Sequence, residues 1–148
     1  MTEIVFRLPA PLRLPNRKGI ARTRAAGAAQ EKEARELLAW EIASMLAGQR
    51  PAEPLKYVQV SVFRHSLQEP DTDNLYASCK GLLDVLQPSG KRRTYGLGII
   101  ENDKPSRCLL KVRHIPVRYR TDQCTHVVIK AVAAADIEAT RSYEPAAA

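Results

Sequence analysis

Aspartates are concentrated where a predicted strand gives way to a predicted helix. Asp71 and Asp73 lie two residues apart in the segment that runs from Glu69 to Leu75. On extended chain, side chains two residues apart point to the same side, so both carboxylates would share one site. Two carboxylates held that close repel each other unless a cation keeps both ionised. Because oxygen ligands suit Mg²⁺ or Mn²⁺, the spacing indicates a divalent metal site.

A third carboxylate can reach this site from a separate part of the chain. Asp103 closes the stretch from Gly98, in which a short apolar segment is followed by a loop. Loops that follow strands often carry functional side chains. Since Mg²⁺ usually takes one or two protein carboxylates together with water and phosphate oxygens, such a site would be open to a phosphodiester.

Lys80 is expected to lie beside the same site. It follows Asp73 by seven residues on the predicted helix, and seven residues make two turns less about 20°, so the two side chains share one face. Asp84 also falls on this face, roughly opposite a stripe of leucines. A positive group beside a metal-bound phosphate would stabilise the charge that develops on its oxygens.

The same acids have a second interpretation. The sequence Asp-Thr-Asp-Asn before a helix is also a good capping sequence, and for this tetrapeptide alone capping is the favoured explanation. Asp103 favours the metal site instead, because a capping sequence does not call for a third acid on another element.

Net charge favours a polyanionic partner. The chain of 148 residues has a formal net charge of +7 and a pI near 9.6, and basic side chains that bind nucleic acid release its condensed counterions. The candidate phosphate contacts are chosen from charge only, and solvated surface explains each of them equally well. They are Arg17, Lys18, Lys91, Arg92 and Arg93, with Arg118 and Arg120 as further positions. Tyr95 is a candidate for stacking on a base, although packing is the favoured role for a single loop aromatic.

The elements that must position these residues follow from periodicity. Strands are predicted at 4–8, 57–64 and 97–100, and the segments 108–117 and 125–132 are expected to form an antiparallel hairpin. One helix is predicted over 25–48, with its apolar stripe at Ala34, Leu38, Ile42, Met45 and Leu46, and another over 75–86. The order predicts an α+β domain over 1–133, in which two main helices pack on a small mixed sheet. Residues 134–148 are expected to form a loosely held tail.

Three other features of the sequence limit the possibilities. Trp40 lies off the apolar stripe, and burial at the edge of the domain is favoured over a dimer interface. Three cysteines and three histidines show no ligand spacing, so we expect the cysteines to be buried hydrophobes. We expect neither a disulfide framework nor a structural zinc, and no metal binding by the histidines. No apolar run approaches the roughly 20 residues of a membrane span, and no secretion signal is visible, which predicts a cytoplasmic protein without a membrane partner.

With these motifs together, the chain resembles the RusA-like Holliday-junction resolvases. The resemblance rests on Asp71-Thr72-Asp73-Asn74, on the run from Lys80 to Leu86, and on a Gly-x-Ile segment that closes in Asn102-Asp103. It extends to the proline-rich opening with Asn16, which we include among the nucleic-acid-binding candidates. Two positions differ from the familiar family pattern: the lysine comes three residues later, and the closing acid pair is Asn-Asp, with Glu101 beside it.

The resemblance implies a function and a set of roles. Asp71, Asp73 and Asp103 would be catalytic metal ligands for Mg²⁺, for which Mn²⁺ substitutes, and Lys80 would be the essential lysine. A symmetric homodimer would resolve four-way DNA junctions in recombination and repair by cutting two opposing strands. Two alternatives stay open: a noncatalytic basic module that binds nucleic acid, and a nuclease that acts on flaps or other branched substrates.

Overall fold

Four strands form one mixed sheet in the computed structural model, which describes residues 3–14, 24–46, 48–91 and 93–143. The strands are β1 (Glu3–Leu8), β2 (Val58–Ser66), β3 (Cys108–Pro116) and β4 (Cys124–Ala131). Their order across the sheet is β1-β4-β2-β3. The central strand β4 pairs antiparallel with β1 and β2, whereas β3 pairs parallel with β2. This mixed sheet and its helices confirm the predicted α+β class.

The helices are α1 (Arg24–Met45), α2 (Thr72–Ala77), α3 (Lys80–Leu86) and α4 (Ala134–Tyr143), and a short 3-10 turn spans Arg120–Asp122. Among the described residues, none of these helices is both long enough and apolar enough to cross a bilayer. The helix predicted over 25–48 ends at Met45, and Gly48 then adopts a positive φ of 86° that favours glycine. The candidate contacts Asn16, Arg17, Lys18 and Arg92 lie outside the described residues.

One face of the sheet carries the core, because alternate residues of each strand point toward the helices. β1 and β2 contribute alternating buried side chains, α1 and the residue that follows it add three, and α3 adds leucines and a valine. The principal members are Ile4, Phe6, Leu8, Val58, Val60, Val62, Ala39, Ile42, Leu46, Leu82, Val85 and Leu86. Ile42 is fully buried, as the apolar stripe of α1 predicts, whereas Ala34 at the upstream end of that stripe is exposed.

The prediction that the last two strands form an antiparallel hairpin is wrong. β3 and β4 are not neighbours, since β2 lies between them. Their connection passes over the end of β2, where Val117 donates a backbone hydrogen bond to Ser66 and Leu67 donates one to the Gln123 side chain. With this connection, β2 gains a partner on both edges.

The segment 97–100 is buried but does not form the predicted strand. Leu97 and Ile100 each make a single bridge, to Pro88 and Leu55 respectively. Most of the remaining backbone bonds of this segment go to the end of α3, including Ile99 to Leu86 at 2.8 Å. The segment therefore closes over α3 and the core without joining the sheet.

Two further expectations differ from the structure. Trp40 is 69% exposed on α1, so burial at the edge of this domain is wrong. Residues 134–143, in the segment expected to be loosely held, form α4, and its Ile137 is 1% exposed. The Asp136 carboxylate accepts a hydrogen bond from the backbone N–H of Ala133, which satisfies a donor at the start of the helix. Burial of one isoleucine and this cap supply the order that weak periodicity did not reveal.

Candidate active site

Asp71 occupies the position at which the chain leaves β2 and enters α2. It is the N-cap residue of α2, with φ −57° and ψ 148°, and its backbone carbonyl accepts the N–H of Leu75. Its side chain makes no capping hydrogen bond. The capping interpretation therefore accounts for the backbone position of Asp71 and not for its carboxylate, which is exposed.

Asp73 lies in the first turn of α2 and not on extended chain. Strand alternation therefore does not place the two carboxylates on one side, and that part of the sequence argument is wrong. Both side chains are exposed, and the first turn of a helix is a favourable place for negative charge.

Lys80 begins a second helix, because the single helix predicted over 75–86 is interrupted. Ser78 and Cys79 form a turn between α2 and α3, in which Cys79 donates to the carbonyl of Tyr76, three residues back, at 3.1 Å. This tighter step advances the chain by more than 100° per residue. Asp73 and Lys80 therefore lie on two different helices, and the spacing of seven residues does not place them on one helical face. Lys80 is exposed at the start of α3.

Asp103 lies in the loop that leads from the bridged residue Ile100 into β3, and it is half-buried. Asn102 accepts a hydrogen bond from the backbone N–H of Lys104 at 2.8 Å, which occupies its side-chain oxygen in a turn. Glu101 is exposed. Asn102 is therefore engaged in the turn, whereas the carboxylates of Glu101 and Asp103 are not.

The carboxylates of Asp71, Asp73 and Asp103 share one property that Asp84 lacks. None of the three forms a salt bridge or side-chain hydrogen bond with another described residue. The Asp84 carboxylate instead forms ion pairs with two arginines. Arg35 Nε and Nη2 each lie 3.1 Å from Oδ2, and Arg93 Nη2 lies 3.5 Å from Oδ1. Asp84 therefore joins α1 to α3, and its carboxylate is occupied by arginines.

The three aspartates are not gathered into one group close enough to share an ion. In the described part of the chain, a group of three such ligands occurs elsewhere, at His65, Cys124 and His126, whose ligand atoms all lie within 4.8 Å of one another. Sequence spacing missed this group because its members come from two strands. The signal that was present is Cys124-x-His126, a spacing of two that puts both side chains on one face of a strand.

The basic candidates that the structure describes have different surroundings. Lys91 is exposed, whereas Arg93 is partly covered and paired with Asp84. Arg118 is exposed and lies 6.0 Å from the ring of Tyr119. Tyr95 packs against the core, which confirms the favoured packing role for this ring. Lys91, Arg118 and Arg120 are exposed, so these described candidates are the most accessible to a phosphate.

Buried arginine adds a feature that the sequence did not indicate. Arg64 is 8% exposed at the end of β2, and its guanidinium donates to the carbonyl of Leu12 and to the Ser66 hydroxyl. Burial lowers its pKa from the ordinary value. Arg64 thus ties the segment after β1 to the end of β2, just upstream of the acids.

The cysteines are buried and free, as the sequence predicts. Burial raises the pKa of the Cys79 thiol to about 11, against smaller lowering effects of Ser78 and Arg64. Burial also raises the pKa of Cys108 to about 12, and the nearby charge of Asp103 adds to the rise. Neither thiol ionises at neutral pH, so neither is a nucleophile there.

A cavity of about 660 Å³ opens beside Lys80, between the segment after β1, α1 and the start of α3. Its wall is mainly apolar, with Leu8, Leu12 and Leu38 among the lining residues. Arg13, Arg35 and Lys80 bring three cationic side chains to it. None of the three candidate aspartates lines this cavity, so it lies next to the acid site and not within it.

No protein-family model matches the chain, and no curated protein sequence matches it significantly.

Proposed function

We propose that the protein is a Mg²⁺-dependent endonuclease of the RusA-like type that resolves four-way DNA junctions. The observation that carries the proposal is the state of its acids: the carboxylates of Asp71, Asp73 and Asp103 are free of partners among the described residues, whereas Asp84 is held by two arginines. Asp71 and Asp73 are exposed and Asp103 is half-buried, so their carboxylates, at the start of α2 and before β3, are accessible to a ligand.

The donor set suits the metal. Carboxylate oxygens are hard ligands, and Mg²⁺ binds through one or two of them while substrate phosphates and waters fill the other positions. When bound, the ion would polarise the scissile phosphate and supply an activated water. Asp71 and Asp73 would hold it from the start of α2, and Asp103 would complete the site from the loop before β3.

The other groups act on the substrate. Lys80, exposed at the start of α3, would stabilise negative charge on the phosphate oxygens in the transition state. Lys91 and Arg118 would contact neighbouring phosphates, together with Asn16, Arg17, Lys18, Arg92 and Arg93. A homodimer would present two such sites to opposing strands of the junction, as paired cleavage requires.

Cleavage of a synthetic four-way junction tests the proposal. Wild-type protein should cut the junction in Mg²⁺ or Mn²⁺ and not in EDTA. Asp71→Asn should bind the junction but cut it at least about 100-fold more slowly, because one charged ligand is lost. Asp122→Asn is the matched control, since Asp122 is an exposed acid in the 3-10 turn and should leave cleavage unchanged.

Two results would contradict this assignment in different ways. Equal cleavage by wild type and Asp71→Asn would remove Asp71 from the reaction. If the junction is cut no faster than flaps or simple duplexes, the nuclease chemistry stands and the substrate class changes to other branched DNA.

The noncatalytic alternative has its own supporting observation, because the three aspartates are not gathered around one point. In that case basic residues would bind nucleic acid without metal, with a strong dependence on salt. It predicts binding that EDTA leaves unchanged and no cleavage of any DNA by the wild-type protein.

A further inference from the structure

Three side chains that favour transition metals meet on the sheet face opposite α1 and α3. His65 lies opposite Cys124 in the register between β2 and β4, and His126 lies opposite Phe63, one diagonal step away. His65 alternates along β2 with the core-facing Val62 and Arg64 positions, so it points to the other face of the sheet. This cluster is independent of the acids discussed above, and its members come from two different strands.

The distances are close to those of a metal site. The ligand atoms of the three residues all lie within 4.8 Å of one another, and the two imidazole centroids are 4.9 Å apart with the rings tilted by 44°. Around a tetrahedral zinc ion, with bonds of about 2.0–2.3 Å, neighbouring ligand atoms are about 3.3–3.6 Å apart. Closing the gap requires a movement of about 1 Å, which rotation of the imidazoles can provide.

The chemical types select the metal. One thiolate and two imidazoles are borderline-soft ligands that Zn²⁺ accepts, and Mg²⁺ does not prefer them. Cys124 is 2% exposed, while both histidines are half-buried. The thiolate would therefore lie on the inner side of the ion, and the fourth position would be left for a water molecule on the solvent side.

The surrounding charges fit a site that depends on its cysteine. Arg7 lies opposite His126 in the register between β1 and β4, on the same face of the sheet, and it opposes a bare cation. Loss of the thiol proton to solvent on binding supplies the negative charge that offsets this repulsion.

We infer that His65, Cys124 and His126 form a Zn²⁺ site that joins the end of β2 to the start of β4.

Metal titration of the full chain tests this site. Tag-free protein is stripped with a chelator and titrated with Zn²⁺ in millimolar Mg²⁺, which occupies any oxygen-ligand site. We expect one Zn²⁺ per chain and a higher melting temperature in the bound form. Co²⁺ should give the visible absorption of a tetrahedral site together with a thiolate-to-cobalt charge-transfer band in the near ultraviolet.

Matched variants separate the cluster from other residues of the same type. Cys124→Ser should abolish the charge-transfer band, and His126→Gln should weaken Zn²⁺ binding by at least about 100-fold, since even outer-shell partners cost about 10–100-fold. Cys108→Ser is the control, because Cys108 is also buried but lies opposite Val58 at the other end of β2. This variant should bind Zn²⁺ as wild type does.

Three results would overturn the inference. They are absence of stoichiometric Zn²⁺ binding by the wild type, Co²⁺ binding without a thiolate band, and undiminished affinity in Cys124→Ser. If Cys124→Ser does not fold, the Co²⁺ spectrum of the wild type and the affinity of His65→Gln still decide the question.

Discussion

Replacing Asp84 by Asn should destabilise the fold without removing the proposed chemistry. Asp84 accepts a hydrogen bond from Arg35 Nε at 3.1 Å, forms an ion pair with Arg35 Nη2 at 3.1 Å, and lies 3.5 Å from Arg93. The Asp84 and Arg35 side chains are only 14% and 18% exposed. Hydrogen bonds to charged groups contribute about 1.5–3 kcal/mol each, whereas exposed ion pairs contribute about 0–1 kcal/mol.

Because the Asp84–Arg35 pair is partly buried, breaking it should cost a free energy between these two ranges. We expect Asp84→Asn to lower the free energy of unfolding by about 2 kcal/mol, because Arg35 loses its closest anion while Asn keeps the shape and one hydrogen-bond acceptor. Glu31, the other partner of Arg35, is 73% exposed at 3.4 Å. Glu31→Gln should therefore cost only about 0.3–0.5 kcal/mol.

Urea unfolding followed by circular dichroism gives both values, provided that the m-value is unchanged. A double-mutant cycle with Arg35→Gln should return a coupling energy of about 1 kcal/mol or more. Activity gives the second readout, since Asp84→Asn should still cut DNA at a temperature where it is folded and Asp71→Asn should not. A loss below about 0.5 kcal/mol for Asp84→Asn would refute the role of this pair in joining α1 to α3.

Four further outcomes follow from individual contacts. Gly96→Ala should destabilise by about 2–3 kcal/mol in urea unfolding, since a Cβ there would meet neighbouring backbone, while Gly90→Ala, with open space around it, should be near neutral. Lys80→Gln should slow cleavage by about 100-fold or more with the melting temperature unchanged, and an unaltered rate would remove Lys80 from the site. Trp40, the single tryptophan, should emit at the wavelength of a solvent-exposed indole, and a blue-shifted emission that reverts on dilution would mean that another copy covers it. Because the folded-state pKa of Cys79 is raised from 9.0 to about 11, its contribution to stability is complete below pH 9 and is lost as the pH rises toward about 11; melting temperatures of wild type and Cys79→Ala from pH 8 to 10.5 should converge.

Local patterns in the sequence predicted the elements that depend on local packing. The alternation in β1 and β2 and the stripe around Ile42 in α1 each correspond to side chains that face the core. Such patterns follow from the geometry of a single strand or helix, so one sequence is enough to reveal them.

Relations between distant segments could not be predicted in the same way. The pairing of β3 with β2 and not with β4 is decided by which arrangement buries both edges of β2, and no local pattern contains that information. The break at Ser78–Cys79 is equally hidden, because both residues keep right-handed helical angles and only the hydrogen-bond pattern changes.

The same distinction between local patterns and long-range contacts applies to the candidate site. The position of Asp71 at the entrance to α2 was predicted, because strand end and helix start are both local. Strand alternation does not apply to Asp73, because α2 begins at Thr72 and both Thr72 and Asp73 are helical. The proximity of His65 to Cys124 depends on the register of β4 against β2, which sequence spacing does not contain.

The central place of β4 has a consequence for how the chain folds. β1 pairs only with β4 in the described sheet, and more than 100 residues separate them in the chain. During synthesis the first strand therefore waits without an edge partner until residues 124–131 have left the ribosome. Pairing between segments so far apart in the chain slows folding. Chains that end before β4 would leave the edges of β1 and β2 without their partner, and open strand edges make incomplete products prone to aggregation.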